Sequence, residues 1–459
     1  MRKSDVLTAA ERAVDEAKKQ GALHADAVAI DEQGVEIEVR EGAVERLVHT
    51  ESFGVGVRVF CAHREGLSYG TSATTRADAD GIREAVARAL AQARIAAPDP
   101  EAVPPVGAEH PSEDEVRAWQ ARAHADARWS VEEAKKAALA LEAEARAVPE
   151  VASTEGAGTG FGHYSYAYAA SDGFAAEYSR AYAQMQVVAV ARRAGEMQRD
   201  YAWKAAIDAQ KLPPPEALGR EAGERAARRL GARDCPTGRF PVVFEPRVAV
   251  SLLGHLAHAI NGRAVMHRHS FLADRLGERI FPDFVTITDD PQHPDGLTDR
   301  LFDGEGVRCR RLAVVENGKL TSFLTNRYVA RRLNHPETGH ATRGLVGDIG
   351  IGPSNLWLSP GAQSAEAILA ELREGLWVTE LTGFGVREIT GDYSRGAAGF
   401  WFKDGEIAYP VQGATIAGNL LEMFAGICAL GDDLQWFGSV AAPTVAVAEM
   451  TLASEGGNP

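Results

Sequence analysis

In two runs, 35–40 and 55–59, the apolar side chains recur at every second position. Val35, Ile37 and Val39 alternate with Glu36, Glu38 and Arg40, and Val55, Val57 and Val59 alternate with Gly56 and Arg58. A period of two sends neighbours to opposite faces, so these runs bury one face only as strands. Their polar alternates predict an antiparallel meander with one face in water, and Gln33-Gly34 and Glu41-Gly42 stand where its turns belong. Helical spacing brackets the meander. Before it come Val6, Ala9, Ala10, Ala13, Val14 and Ala17, with Gly21 as the stop; after it an Ala-rich helix is predicted over 78–93.

The span 97–112 carries Pro98, Pro100, Pro104, Pro105 and Pro111 and reads as a surface connection. Ser130 is placed as the cap of a long helix whose Glu132, Glu133, Lys135 and Lys136 form a solvated charged face. Strands are expected over 151–208, where Tyr164, Tyr166 and Tyr168 line one side in the manner of packing residues. Pro213-Pro214-Pro215 introduces one more helix, ending by Gly231. Further on, Asn317-Gly318 and Asp404-Gly405 are hairpin signals, because such pairs supply the positive φ of type I′ turns. Residues 247–260 have helical spacing. The glycines of Phe53-Gly54-Val55-Gly56-Val57 lack the third glycine and the following helix of a dinucleotide fingerprint, and read as a close-packed strand.

The fold expected is therefore α+β. An N-terminal α/β domain with an antiparallel sheet and long helices covers 1–233, and a β-rich domain covers 237–459, with the boundary near 232–238. A length of 459 residues suits two domains. The formal charge of −15 argues against nucleic acid as a direct ligand, which needs clustered cations. Cys61, Cys235, Cys309 and Cys428 are too scattered for a zinc knuckle or disulfide framework. With no signal-like or membrane-spanning run, the expected location is the cytoplasm.

Chemistry is harder to place. His255 and His258 share a face of the predicted helix, and His267 and His269 follow Gly262. Converging imidazoles could bind zinc as a free-standing metallopeptidase would, yet no acidic residue follows His255 in the helix to act as base. The plainer reading is a helix with two surface or partly buried histidines. No serine lies in a G-x-S-x-G elbow and no cysteine has an activating neighbourhood. The Gly391–Gly399 stretch is glycine-rich, and Asp392 and Arg395 could fix polar ends there; the plainer reading is a turn feeding the next hairpin.

Several segments together are more specific. Ser251-Leu252-Leu253-Gly254-His255-Leu256, Ser270-Phe271-Leu272 through Phe281-Pro282, Phe302-Asp303-Gly304-Glu305-Gly306-Val307, Ile389-Thr390-Gly391-Asp392-Tyr393-Ser394-Arg395-Gly396, Tyr409-Pro410-Val411 and Thr415-Ile416-Ala417-Gly418-Asn419-Leu420 closely resemble the PmbA (TldE) branch of the TldD/PmbA metalloprotease family. The resemblance covers most of 237–453 and is looser before that. It implies an α/β domain followed by a β-rich one. It also implies a heteromeric protease acting on unfolded or leader peptides, in which a TldD-type chain carries the zinc and this branch helps to enclose the substrate.

Carried over residue by residue, the family's zinc helix H-E-x-x-x-H falls on Gly254, His255 and Ala259, and its C-terminal Cys-Gly on Phe437-Gly438. The resemblance thus implies no catalytic residue, cofactor or metal on this chain, and zinc on a TldD-type partner. Its partners would be that subunit, or a second copy in a homodimer, together with an extended peptide. Gly391, Asp392, Tyr393, Ser394 and Arg395 are the candidate peptide or partner contacts. His255, His258, His267 and His269 stay as the alternative metal set, and a regulatory protein of the gyrase-modulator type is a further alternative.

Overall fold

The structure is a computed structural model that describes residues 5–121 and 129–454. Its first half is one six-stranded antiparallel sheet whose long helices lie on one face, while the short helix 113–120 packs on the other through Trp119. Helix α1 (Asp5–Lys19) leads into β1 (His24–Arg40), β2 (Ala43–His63) and β3 (Gly66–Thr74), and α2 (Ala79–Ile95) follows. The order then recurs: α3 (Glu113–Gln120) and α4 (Val131–Ala147) precede β4 (Val151–Ala170), β5 (Ala175–Arg193) and β6 (Glu196–Ala206), with α5 (Pro215–Arg228) closing the unit. The sheet runs β3-β2-β1-β4-β5-β6, so the two three-stranded units join edge to edge through β1 and β4. Asp78 caps α2 through the Gly81 N–H, and Ser130 and Glu133 form a reciprocal capping box on α4.

The alternation in β1 sorts its side chains. Ala25, Ala27 and Ala29 pack on α1 and α2 together with Val55, Val57 and Val59. Small residues there let the helices lie close to the sheet. Ile37 and Val39, on the same face, meet Ala134 and Ala138 of α4. The opposite face was expected to be wet. Its centre is instead covered: Val28, Tyr166 and Tyr168 bury themselves against Leu301 and Phe302 of the second half. The tyrosine stripe is packing, as its spacing suggested.

Two turn and loop expectations need correcting. Gln33-Gly34 is no turn but lies inside β1, paired with Glu51-Thr50 and with His163-Gly162. A Cβ on Gly34 would lie 2.7 Å from the Tyr182 hydroxyl, and one on Gly162 2.2 Å from the Gln33 carbonyl, so these glycines allow strands to pass closely. The Pro-rich span is not merely a surface connection either. Its Pro104 and Val106 carbonyls accept from the guanidinium of Arg327, which is 5% exposed, and Pro100 and Ala102 accept from Arg331. Glu41-Gly42 does form the β1–β2 turn, with φ of 53° and 77°.

The second half begins with β7 (Gly238–Phe244), α6 (Pro246–Ala259) and the short α7 (Gly262–Met266). Strand β7 joins a seven-stranded sheet with strands at 374–382, 386–387, 392–403, 406–419, 427–430 and 445–454. Because the 374–382 strand pairs both with β7 and with 392–403, that sheet closes on itself. A second sheet of six short strands includes Ile287–Asp289, Leu356–Leu358, Gln435–Phe437 and Val440–Ala442. Both predicted hairpins are present, with φ of 48° and 78° at Asn317-Gly318 and 53° and 85° at Asp404-Gly405. Helix α6 lies between the sheets, where Leu252, Leu253 and Leu256 join Ile287, Leu358, Phe424 and Val445 in the largest core cluster. The chain is an α+β protein, and among the described residues no helix is long and apolar enough to cross a membrane.

An ionic joint ties the halves together. Asp26 of β1 accepts from Arg58 Nε and Nη2 at 3.2 and 2.5 Å, from Arg343 Nη1 at 2.8 Å and from the Tyr168 hydroxyl at 3.2 Å. Arg58 also reaches Glu305 at 3.3 Å, and the other Glu305 oxygen accepts from the Arg327 backbone N–H. Burial alone would raise the Asp26 carboxyl, but Arg343 and Arg58 hold it below its ordinary value. Next to Glu305, the carboxylate of Asp303 accepts three backbone N–H groups, from Glu305, Val307 and Ala341. The Phe302–Val307 segment is thus a wedge seated on the first sheet. The close-packed reading of Gly54 and Gly56 fits: Leu345 lies directly on them, and a Cβ at Gly56 would be 2.1 Å from the Leu345 carbonyl.

Candidate functional site

Helix α6 is amphipathic by spacing. Val248, Ala249, Leu252, Leu253, Leu256 and Ala259 face the core, which leaves Ser251, Gly254, His255 and His258 on the remaining arc. Pro246 starts it, where a missing N–H costs nothing. Gly254 is exposed, and a Cβ there would meet nothing within 4 Å. Ala259 is sealed in the core at 1% exposure. The helix packs against the strands Gln435–Phe437 and Val440–Ala442, so the Phe437-Gly438 step lies on an element that touches it. Phe437 itself carries the Lys204 ammonium 4.8 Å from its ring centre.

The four histidines go to different surroundings. His255 meets Tyr393 edge to face, with ring centres 5.9 Å apart. Its pKa falls to about 4, chiefly through burial and further through the charges of Arg395 and His258, so at neutral pH its ring is uncharged. His258 Nε2 instead pairs with Glu388 at 2.5 Å on the surface. His267 and His269 lie side by side, ring centres 5.9 Å apart, and both are exposed. His267 also lines a cavity of about 260 Å³ at the junction of the halves, together with Arg58, Glu305 and Tyr69. Among the described residues there is no group of three or more His, Cys, Asp or Glu that could hold one metal ion.

The five candidates in the 391–395 segment also divide. Gly391 takes φ of 79° and makes the turn, its N–H donating to the Arg387 carbonyl and its carbonyl accepting from Leu420 N–H. Asp392 accepts from the Thr390 hydroxyl at 2.7 Å. Then the strand alternation takes over: Asp392 and Ser394 are exposed, Tyr393 is 2% exposed, and Arg395 is half-buried. Tyr393 and Arg395 share a face, and it is the face turned to His255. Burial pushes the Tyr393 hydroxyl up, so it stays protonated and able to donate.

Two features here were not singled out from the sequence. Ser251 stands one helical turn before His255; it heads the family-like segment 251–256, which gave it no role of its own. The loop Gly383-Phe384-Gly385 bulges between the strands paired with 392–403; the Ser394 N–H donates to the Gly385 carbonyl at 2.7 Å. Its Phe384 ring is fully exposed and Ile389 nearby is 59% exposed. An aromatic residue between two glycines was the available hint.

Comparison with known proteins adds the family. Three family models match in succession: PmbA/TldA metallopeptidase domain 1 over 25–93, the central domain over 126–230 and the C-terminal domain over 237–454. The metalloprotease PmbA of Escherichia coli O157:H7 is 35% identical over 92% of this chain and 90% of its own length. A Thermotoga maritima structure described as a candidate modulator of a DNA gyrase superposes with a TM-score of 0.86 at 26% identity, covering 96% of this chain and 99% of the other. TldE from Thermococcus kodakarensis has the same fold, with a TM-score of 0.85 at 20% identity over 97% and 99% of the two chains.

Proposed function

The chain belongs to the PmbA/TldA metallopeptidase family, in its PmbA/TldE branch, and on that premise we propose that it is the non-catalytic subunit of a two-chain zinc peptidase. It pairs with a TldD-type chain, encloses the reaction space and guides an extended peptide, unfolded or a leader, towards the partner's metal. The observation that carries this reading is the arc of α6. Gly254 has no side chain to offer, Ala259 is buried in the core, and His255 faces Tyr393 with its Nε2 sealed from solvent. These residues do not fit a zinc ion, and no rotamer change makes them fit. Four unpaired cysteines favour the reducing cytoplasm as its compartment.

Co-expression with a TldD-type chain from the same host tests the pairing. The expected outcome is a stable heteromer in which metal analysis finds zinc and peptide cleavage requires both chains. Near-stoichiometric zinc on this chain alone, lost together with peptidase activity in His255→Ala and His258→Ala variants, would overturn it.

A further inference from the structure

Eleven buried side-chain polar atoms lack a hydrogen-bond partner among the described residues, and four of them belong to the surroundings of His255. These are Ser251 Oγ, His255 Nε2, Tyr393 Oη and Arg395 Nε. Ser251 and His255 stack at i and i+4 on α6, Tyr393 touches the His255 ring, and Arg395 follows Tyr393 on the same face of its strand. Leaving a buried polar group unpaired is costly, so a cluster of four in one place calls for a ligand rather than for chance.

The charges say which kind. Arg395 has no carboxylate within ion-pair distance among the described residues. His258 sits against Glu388 and His255 is uncharged, which leaves the Arg395 guanidinium as the cation turned to this cluster among the described residues. A single guanidinium with hydroxyl donors beside it suits a monoanion with several lone pairs, and the planar fork of arginine matches a carboxylate. A phosphate dianion would need more positive charge than this site holds. Beside the same strand, in the loop that the Ser394 N–H holds through the Gly385 carbonyl, the exposed ring of Phe384 offers an apolar contact.

We propose that this site captures the C-terminal carboxylate of an extended peptide that ends in an apolar residue. Arg395 makes the first contact from its half-exposed position, Tyr393 and Ser251 supply hydroxyl donors as the Arg395 side chain turns, and Phe384 covers the last side chain. The proposal rests on the reading of the chain as a peptide-guiding subunit, but it concerns this chain's own residues.

The test uses the full chain alone, with three probes: Ala-Ala-Ala-Phe as free acid, the same peptide amidated, and Ala-Asp-Ala-Ala amidated. NMR of the Arg395 Nε–H and His255 ring signals reads binding. The free acid is expected to move both signals and to bind at least about tenfold more tightly than either amide. Arg395→Gln should abolish the difference and Phe384→Ala should weaken free-acid binding severalfold while leaving the preference; if Arg395→Gln melts early, Tyr393→Phe takes its place. Equal binding of acid and amide, preference for the aspartate probe, or signals that move only when a TldD-type chain is added would each overturn the proposal, the last in favour of a protein contact. Because no partner is present in the first assay, failure here leaves the subunit pairing standing, and failure of the pairing leaves this result standing.

Discussion

Two buried polar clusters in this protein are built on opposite plans. At the joint between the halves, Asp26 receives two arginines and a tyrosine, while Glu305 receives Arg58 and a backbone N–H. Beside α6, four polar atoms are buried without partners among the described residues. Both clusters pay desolvation; only the first recovers it within the chain. A saturated cluster has nothing left to offer a ligand and acts as structure. An unsaturated one, held in place by strand and helix, is poised to bind.

Four experiments would break or sharpen that contrast. Arg58→Met leaves Asp26 and Glu305 buried beside each other with less compensation, and urea unfolding should report a loss of about 3–5 kcal/mol. A loss no larger than that of an ordinary surface change would mean the joint is not structural. Next comes Gly56→Ala, whose new methyl group would press on the Leu345 backbone; about 1–3 kcal/mol should be lost, and hydrogen exchange should quicken on both sides of the contact.

Smaller is the pH effect of His255. Its folded pKa lies below its unfolded one, so the unfolded chain takes up a proton that the folded chain refuses until about pH 4. Stability from this group is complete above about pH 6.5 and is lost as the pH falls towards 4. Its share should be on the order of 1 kcal/mol between pH 7 and 5 after solvent screening, and His255→Asn should flatten that part of a stability-versus-pH curve. Smallest is Arg395→Gln. With no ion pair to lose among the described residues, its melting curve should stay within about 0.5 kcal/mol of the parent chain, and a loss like that of Arg58→Met would show a hidden partner.

Local signals carried much of this architecture. Period-two spacing in Val35–Val39 and Val55–Val59, the Ser130 cap and the two hairpin dipeptides each act within a few residues, and each is where expected. The joint is different in kind. Asp26 lies 32 residues from Arg58 and 317 from Arg343, and Arg58 lies 247 from Glu305, so no spacing rule could bring them together. Gly34 read as a turn for the same reason: what requires a glycine there is Tyr182 and Gly162 on strands that join the sheet from the second unit. The Pro-rich span looked like a surface loop because its carbonyls show their arginine partners only in three dimensions. At α6 the helix, its histidines and the Tyr393–Arg395 pair were all visible in the sequence. Their encounter was not, because it depends on how the closed sheet turns its inner face.

The closed sheet also bears on how the protein is made. Its last strand, 445–454, lies between β7, which opens the second half, and the strand 406–419. A ribosome must therefore translate some two hundred residues after β7 before that strand's neighbour exists, and until then both flanking edges stay open to foreign strands. Nascent chains stalled before residue 445 should bind chaperones and resist compaction, and emergence of those ten residues should release them in a single step.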